Sequence, residues 1–264
     1  MRNHDSKDET RSPLKKPSLR LPGQSAEDER GRLVDDVLLP YILFPAVFWI
    51  IAFVEWIESA QHLPPQPWPF AASAVISTIV AAVQIRRLWP KVRDLRLGRD
   101  GERVVGEVLE ELRGNGVRVF HDIPADGFNL DHVLVMRRGV FVIETKTWSK
   151  RGRNPKISAR TGRLYKDGFP VDPNPLDQAR AEADWLRDML KDCTAKTFPV
   201  QAVVLFPGWM VDEDADAETK AKAWALNPTR LRYFLKKAPI KLDEADVALV
   251  ADRIALHVRN AGRA

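Results

Sequence analysis

Three charged side chains interrupt apolar, strand-like runs: Asp131 in Asn-Leu-Asp-His-Val-Leu-Val-Met (129–136), and Glu144 and Lys146 at the end of Gly-Val-Phe-Val-Ile-Glu-Thr-Lys (139–146). Burying an unpaired charge is strongly unfavourable, so each needs a partner or a task. Arg137-Arg138-Gly139 between the runs has the length and the glycine of a tight hairpin. Side chains alternate along a strand, so Glu144 and Lys146 project from one face, and the neighbouring strand can bring Asp131 beside them. Two hard carboxylates suit magnesium or manganese, which hold a phosphate and a water for in-line attack. The lysine can orient that water or offset charge in the transition state. The chemistry in view is phosphodiester hydrolysis. Taken in isolation, the same residues could form a strand-edge salt bridge.

The surroundings narrow the choice. Gly98, Gly101, Glu102, Val105, Leu109 and Leu112 come first, then Leu130-Asp131-His132, then Gly139 through Lys146, and later Asn174-Pro175-x-x-Gln178. An acidic residue followed about a dozen positions later by Glu-x-Lys resembles the PD-(D/E)XK nuclease superfamily. The ordered set resembles its nuclease-related domain, NERD, over roughly residues 97–210. That resemblance implies an α/β, restriction-endonuclease-like αβββαβ core, with a mixed central sheet flanked by helices. It implies a Mg2+ or Mn2+ cofactor at Asp131 and Glu144, assisted by the Thr145 carbonyl, with Lys146 as the catalytic lysine. It further implies Glu102 as an acidic member from the first helix and Gln178 as a polar residue from the second. On pattern alone, Glu102 could instead be a helix-start carboxylate favoured by the dipole, and Gln178 an ordinary surface amide.

The elements that must position these groups are legible in outline. Val104, Val105, Val108, Leu109 and Leu112 mark an amphipathic helix from Asp100 to Leu112. Val117–Phe120 reads as the first strand. Leu176, Ala179, Ala183, Leu186 and Leu190 mark a second amphipathic helix between Asn174 and Leu190, and Pro199–Phe206 a buried strand. The remainder holds Leu231–Leu235 and a helix near Asp243–Val258, packed on the core. His132 should point to the sheet face opposite Asp131 and act in packing rather than as a base. His121-Asp122 lacks the partner histidines of a metal phosphohydrolase. No phosphate-binding loop order occurs.

One cysteine, Cys193, excludes an intramolecular disulfide and a cysteine-based zinc site, and the five histidines show no zinc spacing. Residues 1–32 carry eight Lys/Arg, six Asp/Glu and few large apolar groups, and read as a disordered charged tail. Val37–Val54 and Leu63–Ile85 then run without a charge for 18 and 23 residues, close to the roughly 20 that span a bilayer core. Residues 33–90 therefore read as a transmembrane hairpin, bent at Pro40 and Pro45. Its second helix is delayed by the proline cluster to about Phe70, and Trp49, Trp56, Trp68 and Trp89 lie at or near the ends of the two runs. The alternative is a buried helical pair in a soluble protein. No Lys or Arg occurs from Leu33 to Ile85, whereas Arg30 and Arg32 precede the pair and Arg86, Arg87, Lys91 and Arg93 follow. The positive-inside rule then places both termini in the cytoplasm and the protein in the inner, cytoplasmic membrane. Residues 91–264 form the nuclease-related unit with a C-terminal helical extension.

The net charge of +5 is concentrated beside the site: Lys146 through Lys166 holds eight Lys/Arg and no Asp or Glu. Trp148, Lys150, Arg151, Arg153, Lys156, Arg160 and Arg163 are the expected nucleic-acid contacts, with Trp148 and Tyr165 available to stack on unpaired bases. DNA is the expected partner, and anionic lipid the alternative for the basic run. A metal-dependent nuclease is the leading reading, ahead of a weakly catalytic nucleic-acid-binding module and a membrane signalling protein.

Overall fold

The structure, a computed structural model, describes residues 20–60, 67–114, 116–150, 156–212 and 216–261. Helix α1 (Gln24–Arg32) runs through a π-helical stretch (Leu33–Leu38) into α2 (Leu39–Ala60). Helix α3 (Pro67–Glu110) follows, then strands β1 (Arg118–Pro124), β2 (Asn129–Met136) and β3 (Gly139–Thr145). Short strands β4 (Lys156–Arg160), β5 (Arg163–Lys166) and β6 (Phe169–Pro170) lead to α4 (Pro175–Thr194) and β7 (Val200–Leu205). The chain ends with β8 (Met210–Val211), α5 (Ala217–Lys222), β9 (Ala223–Leu226), α6 (Pro228–Lys237) and α7 (Glu244–Ala261).

The main sheet has the order β1-β2-β3-β7-β9, antiparallel from β1 to β3 and parallel from β3 to β9. This is the expected αβββαβ core, mixed and flanked by helices, with one more strand, β9, at its edge. Strand β3 is buried throughout because helices cover both of its faces. Val140 and Val142 meet Leu176, Ala179 and Leu186 of α4, while Phe141 and Ile143 meet Val105 and Leu109 of α3 and Leu231 of α6. The Arg137-Arg138 turn closes with Met136 opposite Gly139, whose φ of 135° lies outside the range most side chains tolerate.

Three elements differ from the sequence reading. Of residues 1–32, read as a disordered charged tail, 1–19 lie outside the described residues, while Gln24–Arg32 is helical and its acids are paired, Glu27 with Arg99 and Arg30, and Glu29 with Lys91 at 2.9 Å. Balanced charge, read as disorder, is ion pairing across two helices. The apolar helix and the first helix of the nuclease-related unit are one 44-residue helix beginning at Pro67, not separate helices starting near Phe70 and Asp100. Residues 91–97 are mostly strong helix formers, and Pro90 removes only one ladder bond. Finally, the second half of the basic run is a β-hairpin turning at Thr161-Gly162, both with positive φ. Its inward residues Ile157, Ala159 and Leu164 are buried.

The two apolar helical stretches, Gln24–Glu58 and Trp68–Glu110, are long and apolar enough to cross a membrane. They meet through small residues, Ala52, Ala74 and Ala81, and a 3.2 Å bond from Trp49 Nε1 to Thr78 Oγ1. Large apolar side chains face outward, with Ile50 and Ile76 each 63% exposed. A helix of a soluble core would bury them, so this pattern suggests membrane association.

Candidate active site

The β2–β3 ladder pairs His132 with Ile143, so its next step sets Asp131 across from Glu144. The Thr145 N–H donates to Asp131 Oδ2 at 2.7 Å and fixes that carboxylate at the end of the ladder. One residue past β3, Lys146 Nζ lies 2.6 Å from Glu144 Oε1. Helix α4 approaches the same point. Asn174 caps it by accepting from Leu176 N–H, with Pro175 in the first turn, and these aim Gln178 at the strand end. Lys146 Nζ donates to Gln178 Oε1 at 2.8 Å, and Gln178 Nε2 donates to Glu144 Oε1 at 2.9 Å and to Glu182 Oε1 at 2.8 Å.

Glu102 arrives from the other side on α3. The preceding Gly101 permits this: a Cβ there would fall 1.6 Å from Thr147 Oγ1, so only glycine lets α3 settle on the segment after β3. The five residues Glu102, Asp131, Glu144, Lys146 and Gln178 are thus brought together.

Glu182 was not singled out from sequence. It is 3% exposed, one turn beyond Gln178, and stands between Ala179 and Ala183 on the apolar stripe of α4. A carboxylate on the buried face of an amphipathic helix was the available signal. Burial, then repulsion from Glu144, pushes its carboxyl up to about 9. Burial and the charges of Asp122 and Glu144 raise Glu102 to about 7. Burial, with Glu144 and Glu102 nearby, raises Asp131 well above the ordinary carboxylate range, against the opposing Thr145 N–H bond. Burial acts against the Lys146 ammonium, but the adjacent Glu144 carboxylate outweighs it and raises the lysine.

Crowded carboxyls that hold protons on lacking a counter-charge are a donor set suited to a hard cation. Glu144 Oε2 and Glu182 Oε2 are buried and accept from no amide, hydroxyl or cationic donor, and the two carboxyls lie within hydrogen-bonding reach of each other. Among the described residues, no three His, Cys, Asp or Glu side chains already converge in ligating geometry. The fit therefore rests on the crowding of hard carboxylate oxygens from Glu102, Asp131, Glu144 and Glu182 at one point.

His132 lies on the opposite face. Glu110 Oε1 accepts from His121 Nε2 at 2.6 Å, so His121 Nδ1 accepts from His132 Nδ1 at 2.8 Å and His132 Nε2 is left bare. Burial lowers both imidazoles and keeps them neutral. His132 is a buried residue packed against His121, on the sheet face opposite Asp131.

The basic run divides. Arg151 and Arg153 lie outside the described residues. Lys150, Arg160 and Arg163 are exposed, whereas Lys156 is paired with Asp212 at 2.9 Å. Trp148 is half-buried against Phe206 and Trp209, with Lys166 Nζ 5.2 Å from its ring centroid, so the free stacking platform expected there is partly covered. Tyr165 carries Arg160 over its ring at 5.5 Å.

Residues 97–207 match the family model described as nuclease-related domain, NERD. Over that span the chain is similar to the nuclease-related domain. The matched span runs from the end of α3 through β7 and contains every residue of the constellation. A solved structure of Pyrococcus furiosus SfsA in complex with Ca2+ is also similar, at 17% identity and a TM-score of 0.24, covering 52% of this chain and 51% of that one. The chain thus spans about half the length of that protein. No curated protein matches.

Proposed function

We propose that this protein is a membrane-anchored, metal-dependent nuclease that faces the cytoplasm and hydrolyses phosphodiester bonds in DNA. The observation that carries the reading is the Lys146 ammonium, bonded at once to Glu144 and Gln178 beside Asp131, inside the span matched by the family. Asp131 and Glu144, with the Thr145 carbonyl, would hold Mg2+ or Mn2+. Such an ion, when bound, polarises a phosphate oxygen and acidifies a water. The chain's own groups do the rest. Lys146 positions the attacking water and offsets the charge that develops on the phosphate, Gln178 fixes the lysine, and Glu102 and Glu182 complete the acidic surround.

A recess of about 350 Å3 adjoins Lys146 and Gln178 and opens past Trp148 and Lys166 into a cleft of about 880 Å3 that reaches Phe169. This is the path for the strand to be cut, with Lys150, Arg160 and Arg163 available to its phosphates. The outward-facing apolar helices support a two-helix anchor. Arg20 pairs with Asp122 at 3.0 Å, which supports a hairpin whose preceding segment and following domain share one side of the membrane. The basic flanks make that side the cytoplasm.

The test is Mg2+- and Mn2+-dependent cleavage by detergent-solubilised full-length protein across single- and double-stranded DNA and RNA, with Lys146→Ala as control. Cleavage that persists in Lys146→Ala, or none on any substrate, overturns the assignment. Release of the chain from membranes by high salt alone overturns the anchor.

A further inference from the structure

The segment preceding the first apolar helix is tied to β1 through one buried acid. Asp122, near the end of β1, is 3% exposed and has a φ of 48°. Its carboxylate accepts from Ser25 N–H at 3.1 Å, Ser25 Oγ at 3.0 Å and Asn129 Nδ2 at 3.1 Å, and pairs with Arg20 Nε at 3.0 Å. Asn129 Nδ2 also donates to Ser25 Oγ. Between Arg20 and Ser25, Pro22 fills a notch that only glycine leaves open: a Cβ at Gly106 would come within 2.5 Å of Pro22 Cγ. Gly23 turns with φ 71° against Arg99, where its own Cβ would meet Arg99 Cγ at 2.9 Å. That turn presents the Gly23 backbone N–H to the Glu102 carboxylate.

These contacts differ from ordinary surface ion pairs in being buried, multiple and shape-specific, with glycines on both sides of the contact. Glu102 stands on a helix and faces several other carboxylates. A donor fixed from outside that helix holds its carboxylate in one place.

We infer that Arg20–Ser25 is a positioning arm for Glu102, so that chain from before the apolar hairpin completes the acidic centre built by chain after it. The inference rests on the nuclease reading above. Asp122 anchors the arm, Pro22 in the Gly106 notch sets its depth, and Gly23 delivers the amide. A fragment beginning at residue 91 would carry the whole constellation and lack this support.

The test uses full-length protein in detergent. Mn2+ binding by calorimetry and the Mn2+ dependence of cleavage are compared for the parent, the Arg20→Ala/Ser25→Ala double variant and Arg20→Lys. Thermal unfolding is followed in parallel. Loss of a group that orients a metal-site residue costs about tenfold or more in metal affinity, so the double variant should raise the half-saturating Mn2+ concentration about tenfold in both assays. Arg20→Lys keeps a cation for Asp122 and should stay near the parent. If the double variant does not fold, Arg20→Ala alone is judged by the same shift. An unchanged metal midpoint in a folded variant overturns the arm and leaves the nuclease reading standing, as does a fall in unfolding temperature and maximal rate without a midpoint shift. A parent that neither binds Mn2+ nor cleaves sinks both.

Discussion

Lys146, one residue past β3, and Gln178, in the first turn of α4, are joined by a 2.8 Å hydrogen bond in which the ammonium donates to the amide oxygen. That bond fixes the amide's orientation, because the opposite end must then donate, and it does so to Glu144 and Glu182. A helix and a strand from distant parts of the chain are thereby locked at one functional group.

Gln178→Ala should therefore act through Lys146. The lysine keeps its charge and its Glu144 partner but loses the group that sets its direction. Cleavage should slow by about 10- to 100-fold with little change in metal affinity, in keeping with the cost of small misplacements. Gln178→Glu restores an acceptor for Lys146 but adds a charge beside Glu144 and Glu182, and should not rescue. Single-turnover rates with saturating Mn2+ decide this. A parent-like rate in Gln178→Ala would make the amide a bystander.

Asp131→Asn and Glu144→Gln retain size and much of the hydrogen bonding while removing the charge that attracts a divalent cation. Both should weaken Mg2+ or Mn2+ binding and abolish cleavage in a folded protein. Lys146→Ala removes no ligand, so metal binding should persist while the chemical step falls by about 100-fold or more. Calorimetric titration beside single-turnover cleavage separates the two behaviours. Folded variants that all cleave at the parent rate would leave the constellation without a catalytic role.

How much of this was readable beforehand depended on whether the signal was local. The hairpin of β2 and β3 was, because alternating apolar residues, a two-residue turn and Gly139 leave little choice of register, and register alone sets Asp131 beside Glu144. The helices bearing Glu102 and Gln178 were also local, through their apolar periodicity. Glu182 was hidden because its carboxyl interrupts the stripe by which the helix was recognised. The hairpin at 156–166 was hidden by its charges, since only Ile157, Ala159 and Leu164 carry its period of two. The docking of residues 20–32 was not legible at all, because Arg20 and Asp122 are separated by about a hundred residues and nothing in either neighbourhood specifies the other.

The crowded carboxyls set a pH dependence of stability. Glu182 rises from 4.5 in the unfolded chain to about 9 in the folded protein, and Glu102 from 4.5 to about 7. Between these limits the native state binds more protons than the unfolded state, so unfolding free energy falls as pH rises. With metal removed by chelation, the unfolding temperature should drop between pH 7 and 9, a window in which Glu182 holds a proton that the unfolded chain has lost and to which the raised Asp131 adds in the same direction. Glu182→Gln should flatten that slope, and saturating Mg2+ should oppose it by supplying the missing positive charge. Thermal unfolding at several pH values, with and without Mg2+, checks all three. A metal-free unfolding temperature that rises from pH 7 to 9 would contradict the assignment of Glu182 as a buried, proton-holding acid.

The basic surface gives a prediction that distinguishes among its own cations. Lys150, Arg160 and Arg163 are exposed, while Lys156 is neutralised by Asp212 at 2.9 Å. Each phosphate contact contributes about 0.7 to 0.9 to the slope of log affinity against log salt, through release of condensed counterions. Reversing Lys150, Arg160 and Arg163 together to glutamate should weaken DNA binding and lower that slope by up to about 2 to 3. Lys156→Glu should change the slope less than any one of these reversals, because the lysine already spends its charge within the protein. The measurement is equilibrium binding of a labelled oligonucleotide to full-length protein across a salt series, in Ca2+ or with Lys146→Ala in the background to prevent cleavage. Equal slopes for the parent and the triple variant would remove this face from the interface. A Lys156→Glu effect as large as the triple reversal would mean that the Asp212 pair opens on binding and that the strand runs along β4.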